Sequence, residues 1–150
     1  MRWSGIGAPS ASASSGERRS GTLPAVLDAW ALLAFYEDHP RAGAVFDAID
    51  AGEAIVSAVN LGEVLYQLER ELGRDRAVEL VEALRSVTFV EDPDWELVCA
   101  AAYLKAGGGL SYADCFCVAT AERHAATLYT GDPEIVALAG SVAVCDLRAA

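Results

Sequence analysis

The sequence predicts an α/β fold, a parallel β-sheet of about four to five strands flanked by helices on both faces. Two observations predict it. Short apolar runs of strand length alternate with longer stretches that carry helical periodicity or helix-start residues. The links between the runs mostly lack hairpin turns, so the strands are expected to pair by crossover rather than by simple reversal.

Each element follows from its own residues. The run PAVL, residues 24–27, is the first strand, and Asp28 ends it. Residues 30–36 read as a helix halted at His39-Pro40, because the residue before a proline avoids the α region. Residues 41–51 form a second helical stretch closed by Gly52. AIVSAV, residues 54–59, is the second strand; Asn60 then caps a helix to about residue 72, with Gly73 as its stop. Residues 75–85 are helical, with apolar positions at 77, 78, 80, 81 and 84. Residues 87–90 are the third strand. Asp92-Pro93-Asp94 opens a helix to about residue 106, which Gly107-Gly108-Gly109 breaks. Ser111 starts a helix to about residue 124, and TLYT, residues 127–130, is the fourth strand. Asp132-Pro133 opens a short helix ending near Gly140, and residues 142–145 are the fifth strand.

The chain of 150 residues fits one domain of ordinary size, and 53% apolar residues supply a substantial core. Residues 1–22 are small and polar and read as a disordered leader, an over-long translation start being one source of it; residues 23–150 are the domain. No run reaches the ~18 apolar residues of a membrane span. The net charge is −11, and Lys105 is the single lysine. Such a chain is a poor generic nucleic-acid binder, since phosphate affinity comes mainly from Lys and Arg. A hydrolase whose metal ion supplies the positive charge remains open, and the acidity suits a basic protein partner. Cys99, Cys115, Cys117 and Cys145 show no disulfide framework, which fits a reduced, cytoplasmic protein. Without a CxxC pair and with two histidines, a structural zinc site is not expected.

Four acids carry the chemistry: Asp28, Glu63, Asp114 and Asp132. Each follows a strand-like run or stands in the opening of the helix after it. In a parallel sheet all four converge at the carboxyl edge of the strands, where ligands of such sheets bind. Grouped carboxylates repel one another strongly at protein-like dielectric, so a hard divalent cation is their natural companion. Taken singly, each acid has a structural reading. Asp28 and Asp132 stand where helix caps stand, and Asn60-x-x-Glu63 and Ser111-x-x-Asp114 resemble capping boxes. Capping explains each location but not the convergence, and the two roles are compatible, because helix N-termini help to hold negative charge.

The segment VLDAWALLAFYEDHP resembles the opening of PIN domains of the VapC toxin type, in which a strand ends in a metal-binding Asp. SAVNLGEVLYQL resembles their second motif, with its Glu at Glu63, and LSYADCFCVATAERHAATLYTGDPEI resembles the third and fourth together, with Asp114 and Asp132. The resemblance spans about residues 24–147. It implies a PIN-like α/β/α sandwich and a metal-dependent ribonuclease. Asp28, Glu63, Asp114 and Asp132 would be its catalytic and Mg²⁺ or Mn²⁺-binding residues. It further implies a toxin that cuts tRNA or ribosomal RNA, is held inactive by a cognate antitoxin and forms a homodimer. Many members carry Ser or Thr two residues after the first Asp, where this chain has Trp30. Trp30 reads either as core or as part of a substrate wall, with core favoured on area grounds.

Around the acids, Asn60 reads as a cap or as a support for Glu63, and Thr130 as its counterpart beside Asp132. His39 and His124 are not needed as bases, and Glu134 and Asp146 are peripheral, with contact through a water left open for Glu134. Arg70, Arg74 and Arg76 read as a solvated surface paired with Glu69, Glu71 and Asp75, or else as an RNA-backbone contact. Leu65, Tyr66 and Leu68 read as a core face or as a partner groove. Two other functions remain. One is a receiver-like signalling domain with an acidic Mg²⁺ pocket; it requires a lysine at a strand end, and Lys105 falls late in a helix instead. The other is a non-catalytic PIN-like module, whose usual mark is a lost acid.

Overall fold

The structure, a computed structural model, describes residues 23–138 and 140–149. The leader expected over residues 1–22 lies outside the described residues. Among the described residues five strands form one sheet: β1 (Ala25–Leu27), β2 (Ala54–Ser57), β3 (Phe89–Glu91), β4 (Thr127–Thr130) and β5 (Val144–Asp146). Their order is β3-β2-β1-β4-β5, and every pairing is parallel. Val26 of β1 stands between Ile55 of β2 and Leu128 of β4. The chain therefore steps outward from β1 to β3 on one side, then crosses back to build β4 and β5 on the other. The sheet's direction of growth switches between β1 and β4, the place where open α/β sheets leave a crevice.

Among the described residues seven helices fill the connections: α1 (Ala29–Tyr36), α2 (Ala42–Asp50), α3 (Ala58–Leu72), α4 (Arg74–Val87), α5 (Trp95–Gly107), α6 (Tyr112–His124) and α7 (Pro133–Val136). The strand period of two sorts the core onto two faces. Ala25, Leu27, Ala54 and Val56 join Leu32, Val45, Val64 and Leu80 on one face. Val26, Ile55 and Leu128 join Leu97, Ala101, Phe116 and Val118 on the other. Cys115 and Cys117 are buried within α6, and all four cysteines are free thiols. No helix among the described residues is long and apolar enough to cross a membrane.

Several boundaries differ from the sequence reading, each for a local reason. The second strand stops at Ser57, whose hydroxyl accepts from the Val59 N–H at 3.2 Å and caps α3. Asn60 is therefore not the cap but a buried residue in the first turn. Gly73, at φ 84°, closes α3 and opens α4 without an intervening loop, a backbone angle that glycine adopts freely. Val87 ends α4 rather than starting a strand, because the Thr88 hydroxyl donates back to the Leu84 carbonyl at 2.9 Å. The last helix is one turn long and ends before Gly140. Leu68 is buried and Leu65 packs against the core, while Tyr66 is left exposed.

Leu128 is fully buried in β4 and touches the core between the sheet and α6. Leu128→Ala is expected to cost about 2–5 kcal/mol through lost transfer energy and a residual cavity. A shift in the urea midpoint at unchanged slope measures it.

Candidate active site

Asp28 follows β1 directly and caps α1. One of its oxygens, Oδ1, accepts from the Ala31 N–H at 2.7 Å. The other, Oδ2, accepts from the Thr130 hydroxyl at the end of β4. That hydroxyl also accepts from the Asp132 N–H at 2.9 Å, so Thr130 ties the first acid to the last across two strands. Asp132 caps α7 with Pro133 at the first helical position, and its Oδ1 accepts from the Glu134 N–H at 2.8 Å. Asp114 closes a capping box on α6. Its carboxylate accepts from the Ser111 N–H at 3.2 Å and the Ser111 hydroxyl at 2.5 Å, while the Ser111 oxygen accepts from the Asp114 N–H at 3.1 Å. Capping thus accounts for three of the four acids. It does not account for Glu63, which stands in the second turn of α3 with Oε2 buried and without a hydrogen-bond partner.

All four acids line one cavity of about 150 Å³, together with Ala29, Trp30, Leu33 and Gln67. None of these lining residues is Lys, Arg or His. Burial pushes the Asp28 carboxyl up to about 7; the Thr130 and Ala31 hydrogen bonds pull it down, and the charges of Asp114 and Asp132 push it further up. The Glu63 carboxyl is also raised, first by burial and then by Asp114 and Asp132, with the Asn60 amide opposing. Asn60 itself is wholly buried. Its Nδ2 donates to the Ala113 carbonyl at 3.3 Å, fastening α3 to the first turn of α6, and its Oδ1 has no partner. Among the described residues no three acidic, His or Cys side chains stand as a ready-made metal cage. One oxygen of Asp114 and one of Asp132 are instead engaged by their own helix starts. The set is all-oxygen, anionic and partly unpartnered, which is the donor chemistry of a hard cation.

The PIN domain profile matches residues 25–141. The chain belongs to the PIN domain family. Solved structures share the fold of this PIN domain. VapBC from Salmonella typhimurium, solved bound to DNA, matches at TM-score 0.68 and 19% identity, covering 84% of this chain and 99% of its own. VapBC-1 from nontypeable Haemophilus influenzae matches at 0.66 and 14%, covering 85% and 100%. VapC20 from Mycobacterium tuberculosis, described as a sarcin-ricin loop cleaving toxin, matches at 0.62 and 21%, covering 75% and 93%. No curated protein sequence matches the chain.

The cavity of the PIN domain also holds residues that sequence reasoning passed over. Gln67 lies one turn beyond Glu63 on α3, so the i, i+4 rule was the available signal. Leu33 carries no chemical signal of its own. Trp30 packs against the core, the reading favoured for it, and it also lines the cavity. Outside the cavity, His124 meets Glu91 at 2.7 Å, and Asp146 pairs with Arg148 at 3.1 Å. Arg74 pairs with Glu69 at 2.8 Å, as the sequence reading allowed, whereas Arg76 pairs with Glu79 at 2.7 Å.

Because the Asp28 carboxyl lies near 7 in the folded chain and near 3.8 unfolded, the folded chain holds the extra proton between those values. Its contribution is full below about pH 3.8 and is lost as pH rises through about 7. In chelator, the wild type should lose a few kcal/mol of stability from this group over that window, and Asp28→Asn should lack that component. Chemical denaturation at a series of pH values measures both. Gly131→Ala should cost about 1–3 kcal/mol through overpacking. A Cβ at Gly131 would stand 2.3 Å from the Trp30 ring.

Proposed function

We propose that this PIN domain is a metal-dependent ribonuclease, the toxin of a toxin–antitoxin pair, acting on RNA of the tRNA or ribosomal class. The observation that carries the reading is the buried, unpartnered Oε2 of Glu63 inside a cavity lined by four acids and no base. A carboxylate oxygen left without a donor costs free energy unless a ligand compensates it. Capping stabilises the other three acids and leaves this one unexplained.

Asp28, Glu63 and Asp114 would hold Mg²⁺ or Mn²⁺ directly or through water, with Asp132 completing the set or sharing a second ion. When bound, such an ion lowers the pKa of a coordinated water and offsets the charge that grows on the phosphate during phosphodiester hydrolysis. The chain's own part is positional. Thr130 fixes the Asp28 carboxylate by its hydrogen bond. Asn60 fixes the spacing of the helices that carry Glu63 and Asp114. To hold a cation Asp28 would have to give up its proton, so metal affinity should tighten as pH rises toward about 7 and level off above it. Neither His39 nor His124 lines the cavity, so general-base work by an imidazole has no support there. The receiver-like alternative has none either: the Lys105 ammonium donates to the Leu110 carbonyl at 2.8 Å and does not line the cavity.

The net charge of −11 supports a basic antitoxin segment as partner. The solved toxin–antitoxin complex from Klebsiella pneumoniae, which shares the fold, supports the same partner class. A homodimer and a cytoplasmic site of action complete the proposal.

Purified protein should cut total RNA when Mg²⁺ or Mn²⁺ is added, and Asp28→Asn or Asp114→Asn should reduce cutting to background. At metal concentrations about 100 times the Kd, binding should add about 2.7 kcal/mol and raise the wild-type melting point by several degrees. Asp114→Asn should melt higher than the wild type without metal, because a repulsive charge is gone, and should respond less to metal. Intact RNA combined with equal metal responses in both proteins would sink the reading.

A further inference from the structure

Trp30 packs against the core on one side and lines the acid cavity on another. Its ring is seated on the backbone of Gly131. A Cβ at Gly131 would lie 2.3 Å from its Cε2, 2.4 Å from its Cδ2 and 2.5 Å from its Cζ2. Gly131 stands between Thr130, which holds Asp28, and Asp132. The ring is therefore fixed beside the acids by contact with the turn that carries one of them. His39 meets it edge-on, with ring centroids 5.3 Å apart and planes at 71°. Trp30 is half-buried and lines the same cavity as Asp28, Glu63, Asp114 and Asp132. Its indole N–H has no hydrogen-bond partner among the described residues.

A phosphodiester placed at these acids brings a flanking nucleoside within reach of the cavity wall. The wall offers no Lys or Arg to grip the backbone. It offers one large aromatic side chain, Trp30, held in place by Gly131. A base presents a π-face to such a surface only when it has left its own stack, and base–aromatic stacking contributes about 1–3 kcal/mol per base. We infer that Trp30 is a specificity-determining residue of this site: it stacks an unpaired base beside the scissile phosphate and directs the enzyme to single-stranded or looped RNA. The inference rests on the ribonuclease reading.

Binding is measured with a labelled oligoadenylate single strand and a duplex of equal length, in an Asp114→Asn background that blocks cutting. Trp30→Leu should weaken single-strand binding about 10-fold and leave duplex binding unchanged, while Trp30→Phe keeps most of the affinity. On cut RNA without the Asp114 change, Trp30→Leu should raise KM about 10-fold at similar kcat. A structural role would instead lower binding to both nucleic acids, with Phe and Leu alike, and would overturn the inference. In the unaltered protein, a single strand carrying 5-iodouridine should photo-crosslink at Trp30; adducts confined to other residues would overturn it even if Trp30→Leu fails to fold. Wild-type protein that leaves total RNA intact overturns the ribonuclease reading and this one with it. Cut RNA with undiminished single-strand affinity in Trp30→Leu overturns this one alone.

Discussion

Like charge gathered at one end of a buried sheet is the constraint on which the rest of this structure turns. Two carboxylates about 4 Å apart repel by roughly 4 kcal/mol at an effective dielectric near 20. The strand order β3-β2-β1-β4-β5 makes that gathering unavoidable. It sets the exits of β1 and β4 side by side and delivers Asp28 and Asp132 there. It also brings the openings of α3 and α6 to the same edge. The protein answers with three means. Asp28 is driven toward its neutral form by burial. Asp28, Asp114 and Asp132 face helix N-termini, where backbone N–H groups carry partial positive charge. Thr130 donates to the most buried acid. Glu63 receives no comparable compensation at Oε2.

The capping and site roles of these acids are therefore one arrangement. An N-cap carboxylate stabilises its helix by roughly 1 kcal/mol, and a cation placed among several such caps is attracted by the carboxylates against the partial positive charge of the helix N-termini. Three helix starts consequently share one electrostatic environment. Removing a single carboxylate relieves repulsion for the others while depriving one helix of its cap. The net sign at each position depends on which loss is larger. Asp114 forms a two-way box with Ser111, so its helix keeps the Ser111 half of the cap when the carboxylate is neutralised. Both Asp28 oxygens accept hydrogen bonds in a dry setting, so an amide of the same shape removes the charge but keeps an acceptor for only one of the two donors.

Much of this was legible in the sequence because the signals are local. Ser111-x-x-Asp114 and Asp132-Pro133 are complete cap signatures, and the structure shows both in that role. Gly73 and the Gly107-Gly108-Gly109 run mark helix ends, as observed. The start of α3 was not legible. Ser57 is one polar residue within an apolar run, and nothing nearby distinguishes it from Asn60 as a cap. What separates them is tertiary: Asn60 is held in the interior by Ala113, 53 residues away. The seating of Trp30 on Gly131 and the Thr130–Asp28 bond, 102 residues apart, have the same character. Local pattern can place each partner near the sheet edge, but only the crossover to β4 makes them touch.

The tripeptide Thr130-Gly131-Asp132 shows how little chain is needed to join these functions. Its first residue donates to Asp28, its second leaves room for the Trp30 ring, and its third contributes a carboxylate and starts α7. Charge, shape and helix start are thus set by one turn at the exit of β4. A side chain at the middle position would move an aromatic wall and, through its neighbours, the two acids beside it. The need for glycine there is imposed by Trp30, since nothing else lies among the nearest atoms that a Cβ would meet. In this chain Trp30 and Gly131 consequently form a matched pair, and the shape of the cavity mouth belongs to the two together.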